Sequence, residues 1–175
     1  MSNIPVLLPT VPMPEYSYVP GKFPHPIRDP NGHSFGEARG EIVNFDPRRW
    51  RSCDAYVRGI DLFNHGFYWE SHEAWEAVWN AAGREGTIAD FTKGLIKLAA
   101  ACVKAREGSA IGVARHATRA RRLFDMLQPT SPRLMGLSTE ELKNIAQKLV
   151  DGAESFINKR DDPVVRVHDL LLTPK

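Results

Sequence analysis

Apolar and polar positions follow two regimes along the chain. From Pro47 onward the apolar residues recur at three-to-four spacing, the period of one face of an α-helix; before it they do not. Trp50, Cys53, Val57, Ile60 and Phe63 predict a first helix opened by Pro47, whose fixed φ suits a first turn. Asn64-His65-Gly66 reads as its terminator, because Asn and Gly tolerate the left-handed conformation at a helix end. A second helix is expected from near Phe67 to just before Gly83. Thr87 with Asp90 resembles a capping arrangement for a third, whose stripe runs Ile88, Phe91, Leu95, Leu98, Ala99, Cys102 and Val103 until Gly108-Ser109 breaks it. Val113, Ala117, Ala120, Phe124 and Leu127 mark a fourth helix ending before Pro129. Ser138-Thr139-Glu140-Glu141 is a capping box for a fifth, with Leu142, Ile145, Ala146, Leu149 and Val150 on one face. Neither strand-period alternation nor an internal repeat is evident. Short connections between successive helices favour antiparallel neighbours, so the expected fold is all-α: an antiparallel bundle of about five helices under a proline-rich, extended amino-terminal wrap. A solenoid of helical pairs is the structural alternative.

Eight of the 13 prolines lie in the first 30 residues. Proline removes a backbone donor and blocks an internal helix, so residues 1–46 are expected to be extended. Tyr16, Tyr18, Phe23 and Phe35 offer surface worth burying, which predicts that this segment wraps over the helical body. Its first dozen or so residues are expected to be mobile. The helical domain is placed at 47–160, closed by Asp161-Asp162-Pro163. The tail, 161–175, carries Val164, Val165, Val167, Leu170, Leu171 and Leu172, enough apolar surface to dock on the body or on a second copy, so a homo-oligomer is an open expectation.

At 175 residues one domain is the default, and 42% hydrophobic with 25% charged residues is the globular range. A net charge of +2 names no partner. Two cysteines without C-x-x-C spacing argue against a zinc knuckle or a dithiol motif and suit a reducing cytoplasm. The amino terminus has neither the basic start nor the unbroken apolar core of a secretory signal, and no run of about 18 apolar residues predicts a membrane span. A cytoplasmic protein with no membrane partner is the expectation.

The chemistry concentrates between Phe67 and Trp79, where three carboxylates and His72 stand among five aromatic rings. An unpaired buried charge is strongly disfavoured, so these groups either reach water or have partners. At about 100° per residue, Phe67, Tyr68, Trp75, Val78 and Trp79 form the core arc, His72 lies beside it, and Glu76, Trp69 and Glu73 follow around the helix. His72-Glu73-x-x-Glu76 is close to the zinc-peptidase pattern H-E-x-x-H, with a glutamate replacing the second histidine. His72 and Glu76 are therefore candidate ligands for a divalent metal and Glu73 a candidate catalytic base. His25, Asp29, His33 and His65 are the available further ligands. A pocket for a small molecule, metal-free or not, would draw on His72, Glu73, Glu76, Trp69, Tyr68 and Asn64. His72 there could exchange a proton near neutral pH.

A structural reading competes with this one. In it His72 and Glu76 hydrogen-bond within the bundle while Glu70 and Glu73 are mainly solvated. The second E-x-x-H segment of a di-iron bundle is missing. His25, Asp29 and His33 sit at four-residue intervals on a proline-broken loop, where turn chemistry accounts for Asp29-Pro30-Asn31-Gly32. Lys104, Arg106, Arg115, Arg119, Arg121 and Arg122 form a basic stretch, but no stacking aromatics interleave with the arginines, so a solvated face is expected rather than a nucleic-acid partner. Cys53 and Cys102 fall on apolar helical faces and read as core.

Three motifs carry a resemblance: Phe63-Asn64-x-Gly66-x-Tyr68, then Glu70-x-His72-Glu73-x-x-Glu76-x-x-Trp79, then Phe91-x-x-Gly94-Leu95-Ile96-x-Leu98-Ala99-Ala100. From Gly59 to about Leu127 the chain resembles the bacterial and archaeal family catalogued as domain of unknown function 309. Glu107-Gly108-Ser109-Ala110-x-Gly112 is similar to that family's turn into its next helix, with Ser109 where asparagine is usual. The resemblance implies a small all-helical fold, brings no activity to carry over, and ranks His72, Glu73 and Glu76 above the arginines. Two functions follow as expectations. One is a binding protein or enzyme with a His/Glu pocket, using a small molecule or divalent metal. The other is a non-enzymatic interaction module in which the motif is structural and the basic fourth helix or the tail contacts a partner.

Overall fold

The computed structural model describes residues 4–37 and 45–175. A 3₁₀ helix over Pro47–Ser52 leads into α1 (Asp54–His65), followed by α2 (Tyr68–Ala81), α3 (Thr87–Glu107), α4 (Ala110–Leu127), a hairpin of β1 (Arg133–Leu134) and β2 (Leu137–Ser138), and α5 (Thr139–Asp151). Each α-helix packs on its neighbour in sequence, α1 on α2, α2 on α3, α3 on α4 and α4 on α5, which is the all-α bundle expected from short connections.

The apolar stripes explain the packing. Tyr56, Ile60 and Phe63 of α1, Trp75 and Val78 of α2, Phe91, Leu95 and Leu98 of α3, Phe124 of α4 and Leu142 and Leu149 of α5 meet in one core. Full burial of each such side chain contributes about 1.5–3 kcal/mol. Two glycines set the helix spacing. At Gly59 a side chain would strike the Trp75 ring, whose Nε1 donates to the Tyr56 carbonyl at 3.2 Å. At Gly94 a Cβ would meet the Phe124 ring at 2.5 Å.

Several helix ends depart from expectation. The first apolar run is divided at Cys53, which has extended backbone, and Asp46 caps the 3₁₀ turn by accepting from the Arg48 N–H at 2.9 Å. Thr87 does not cap α3; Gly86 is its N-cap residue, at φ 87° and ψ 179°, and no side chain caps that end. Ser138 does cap α5, accepting from the Glu141 N–H. The hairpin was not predicted, because its strands have two residues each; Met135 and Gly136 both take positive φ, as a two-residue hairpin turn demands.

The amino-terminal segment wraps over the body as expected, with Tyr16, Ser17 and Val19 buried. Its stretch at 38–44, and 1–3, lie outside the described residues, so the extended conformation predicted there is not addressed. Within the first dozen residues, where mobility was expected, Leu7 and Leu8 are held: Asp61, fully buried in α1, accepts from their N–H groups at 2.8 Å each. The tail docks on the chain's own body, burying Val165, Val167 and Leu172. Asn64 clasps it reciprocally, donating to the Leu172 carbonyl at 2.9 Å and accepting from the Leu172 N–H at 2.8 Å. Arg106 holds the stretch before it by donating to the carbonyls of Arg160 and Asp162. No helix among the described residues is long and apolar enough to cross a membrane.

Candidate functional site

The sequence-predicted residues of α2 divide between two sides of the helix. His72, Glu73 and Glu76 each offer a donor atom, and these atoms lie within 4.8 Å of one another; among the described residues they are the one group of three such side chains so placed. One helical turn explains it: His72 and Glu76 stack along one row, and Glu73 flanks them. His72 Nδ1 stands 3.4 Å from Glu73 Oε1, yet the alignment makes no hydrogen bond, so this buried nitrogen is left without a partner. The side chains of His72 and Glu73 are 29% and 39% exposed, enough for rotation without disturbing the core. Donors about 2.1 Å from one ion stand at most about 4.2 Å apart, so closing on a cation needs side-chain rotation only.

The other candidate ligands do not join this group. His33 Nε2 lies 3.3 Å from Glu70 Oε1, and its Nδ1 lies 3.0 Å from the Ser34 hydroxyl. The His25 ring packs edge-on to Trp69 and tilted against Tyr18, with Nδ1 accepting from the Ile27 N–H at 3.3 Å. Asp29 caps its own turn by accepting from the Asn31 N–H at 2.9 Å, the turn chemistry read from the sequence. His65 Nδ1 is 2.7 Å from the Asp61 carbonyl. Of the expected pocket residues, Asn64 is committed to the tail, and so is Tyr68, whose hydroxyl accepts from the Val167 N–H at 3.0 Å in full burial that pushes its pKa far up. Trp69 remains near the cluster, beside His25 and Tyr18 of the wrap.

Glu70 is the correction to the structural reading, which had it mainly solvated. It is 7% exposed. Its Oε1 accepts from the Tyr18 N–H at 2.8 Å and its Oε2 from the Ser17 hydroxyl at 3.1 Å, so with His33 it pins the wrap to α2. Spacing carries no signal for this: Glu70 follows Glu73 around the helix, about 60° away, and it is buried by a wrap segment more than 35 residues distant in sequence.

Wrap and helix enclose a cleft of about 1490 Å³, bounded among others by Met13, Ile27, Trp69, Glu73, Glu76 and Asn80. Glu73 and Glu76 thus face a space also lined by the wrap, while His72 sits at the margin outside that lining. On its other side Glu76 is close enough to Lys97 of α3 to favour its charged form, against burial and the repulsion of Arg119 and Lys93, which together push the Lys97 pKa down. Nothing in the sequence singles out Lys97, whose spacing marks only a helix face outside the apolar stripe.

Cys102 and His168 form a second polar contact, Sγ to Nε2 at 3.3 Å, deep under the tail. Burial pushes the thiol up and the imidazole down to about 4, so both are neutral near pH 7 and neither is an activated nucleophile or base.

Residues 56–116 match the family model described as Domain of unknown function (DUF309). That match spans about a third of the chain, includes His72, Glu73 and Glu76, and supports the resemblance drawn from the three motifs. No curated protein matches the chain.

Proposed function

We propose that the DUF309 segment of this chain is a binding site for a divalent cation, held by His72, Glu73 and Glu76 at the edge of the wrap-lined cleft and offered to a small molecule that enters it. One observation carries the reading: three donor atoms, one each from His72, Glu73 and Glu76, lie within 4.8 Å, and the His72 ring has a buried Nδ1 with no hydrogen-bond partner. A mixed imidazole and carboxylate set suits a borderline ion such as Zn²⁺ or Mn²⁺ better than Ca²⁺, which prefers oxygen alone. When bound, such an ion polarises a ligand oxygen or lowers the pKa of water. His72 and Glu76 hold the ion in this reading. Glu73, more exposed than His72 and on the cleft, accepts or returns a proton. The protein is placed in the cytoplasm.

The interaction-module reading loses part of its support, because the apolar tail that was to meet a partner is buried on the chain's own body. The reason for expecting a homo-oligomer lapses with it.

Titration calorimetry on untagged, chelator-stripped protein tests the proposal. Zn²⁺ or Mn²⁺ should bind at one equivalent, and His72→Ala and Glu76→Gln should each lose most of that affinity. Equal binding by both variants and the parent chain would place the ion elsewhere.

A further inference from the structure

The basic residues of α3 and α4 are arranged, not scattered. Lys93 and Lys97 stand one turn apart on α3, Arg115 and Arg119 one turn apart on α4, and the two helices pack together. Gly112 brings α4 so close that a Cβ there would meet Lys104 Cγ at 2.8 Å, which sets this face of α4 against the lysine stripe of α3. Among the described residues none of Lys93, Lys97, Arg115 and Arg119 has a carboxylate within 4.0 Å.

His116 lies between the two arginines, its Nδ1 buried and without a hydrogen-bond partner. Burial pushes its pKa down to about 4, and Lys97, Arg115, Lys104 and Arg119 push the same way. Lys97 is the bridge to α2. It feels Arg119 and Lys93 on one side and Glu76 on the other. Lys93 Nζ is 6.0 Å from the ring centre of Trp79, three residues beyond Glu76 on α2.

Cations packed without counter-charge repel one another, and a bound anion would relieve the repulsion. A carboxylate would cancel one charge; a phosphoryl group cancels two, and its oxygens match the guanidinium fork and accept from ammonium and imidazole N–H groups together. Glu76 alone opposes the four cations, and a cation at the cluster would lessen that opposition.

We propose that Lys97 and Arg119, with Lys93, Arg115 and His116 around them, seat the phosphoryl group of a small ligand on the α3–α4 face, beside the His72/Glu73/Glu76 cluster. The inference rests on the cation reading only for what the phosphoryl group faces. Ligand and cation then meet at Glu76, across the gap from α2 to α3.

Two separate titrations of the full, untagged chain test it: pyrophosphate on chelator-stripped protein, and Mn²⁺ without phosphate, followed by electron paramagnetic resonance. Lys97→Met with Arg119→Met should weaken pyrophosphate about tenfold or more without weakening Mn²⁺ binding, since the loss of two nearby positive charges cannot disfavour a cation at Glu76. The charge-retaining pair Lys97→Arg with Arg119→Lys should keep pyrophosphate binding, which separates lost charge from lost fold. If the parent chain binds Mn²⁺ but takes up pyrophosphate no better than the methionine variant, the seat is overturned and the cation reading stands. If pyrophosphate binding is lost in that variant while the parent chain never binds Mn²⁺, the seat stands and the cation reading falls. A single-stranded oligonucleotide that outcompetes pyrophosphate, with affinity falling steeply in salt, would assign this face to a polynucleotide and overturn the small-ligand proposal.

Discussion

Glu70 Oε1 and His33 Nε2 lie 3.3 Å apart, joining the first turn of α2 to the amino-terminal wrap with both side chains almost wholly buried. The same carboxylate also accepts from the Tyr18 N–H and the Ser17 hydroxyl, so one side chain closes three contacts across more than 35 residues of sequence. The cleft beside Glu73 exists because this clasp holds.

Replacing Glu70 by alanine should therefore free the wrap before it unfolds the bundle. Three donors, one buried and two partly buried, would lose their acceptor, at about 1–3 kcal/mol each at most if none found water. Protease cleavage within residues 16–34 should accelerate strongly, with a lower unfolding midpoint. Glu70→Gln, which keeps an acceptor, should fall between alanine and the parent chain. Cleavage at the parental rate in Glu70→Ala would remove the clasp from the account.

The helix spacing gives a prediction in which two effects oppose. Gly94→Ala gains about 1 kcal/mol of helix propensity, yet its Cβ would meet the Phe124 ring at 2.5 Å. Overpacking of a close-packed core costs about 1–3 kcal/mol, so the clash should win and the variant should be less stable in denaturant titration. Adding Phe124→Leu should recover part of the loss, a coupling that a double-mutant cycle reads directly. A more stable single variant would mean that α3 and α4 sit further apart than described.

The elements legible in the sequence are those fixed by local periodicity. The stripes of α2 through α5, the α1 stripe from Val57 on, the Gly66 and Gly108 terminators and the Ser138 cap appear where spacing placed them, because each depends on residues within a few positions of one another. The two-residue strands were too short to alternate. Long-range polar contacts were not legible at all. Asp61, between Ile60 and Leu62, is buried only because Leu7 and Leu8 arrive from more than fifty residues away, and Glu70 only because Ser17, Tyr18 and His33 do. For the candidate site, the His72/Glu73/Glu76 row could be read from one turn of helix. The loss of His25, Asp29, His33 and His65 to other partners could not.

Acid should weaken the tail through His168. An unfolded imidazole binds its proton near 6.5, whereas burial holds this one to about 4. Between those values the unfolded chain carries more protons than the folded one, so stability is full above about 6.5, declines as pH falls toward 4, and falls no further below it on this account. The two values differ by enough to cost about 3 kcal/mol at most. His116 acts in the same direction. Denaturant unfolding measured from pH 7 to 4 should show the decline, and His168→Leu should flatten it. An identical slope in that variant would exclude His168 as the cause.

The claim that the cation site lies on α2 is tested most directly by anomalous scattering from a crystal of untagged protein soaked in Zn²⁺. One strong peak should lie about 2 Å from a nitrogen of His72 and from carboxylate oxygens of Glu76 or Glu73. A map with no peak among these three side chains, or with its strongest peak on other residues, would contradict it.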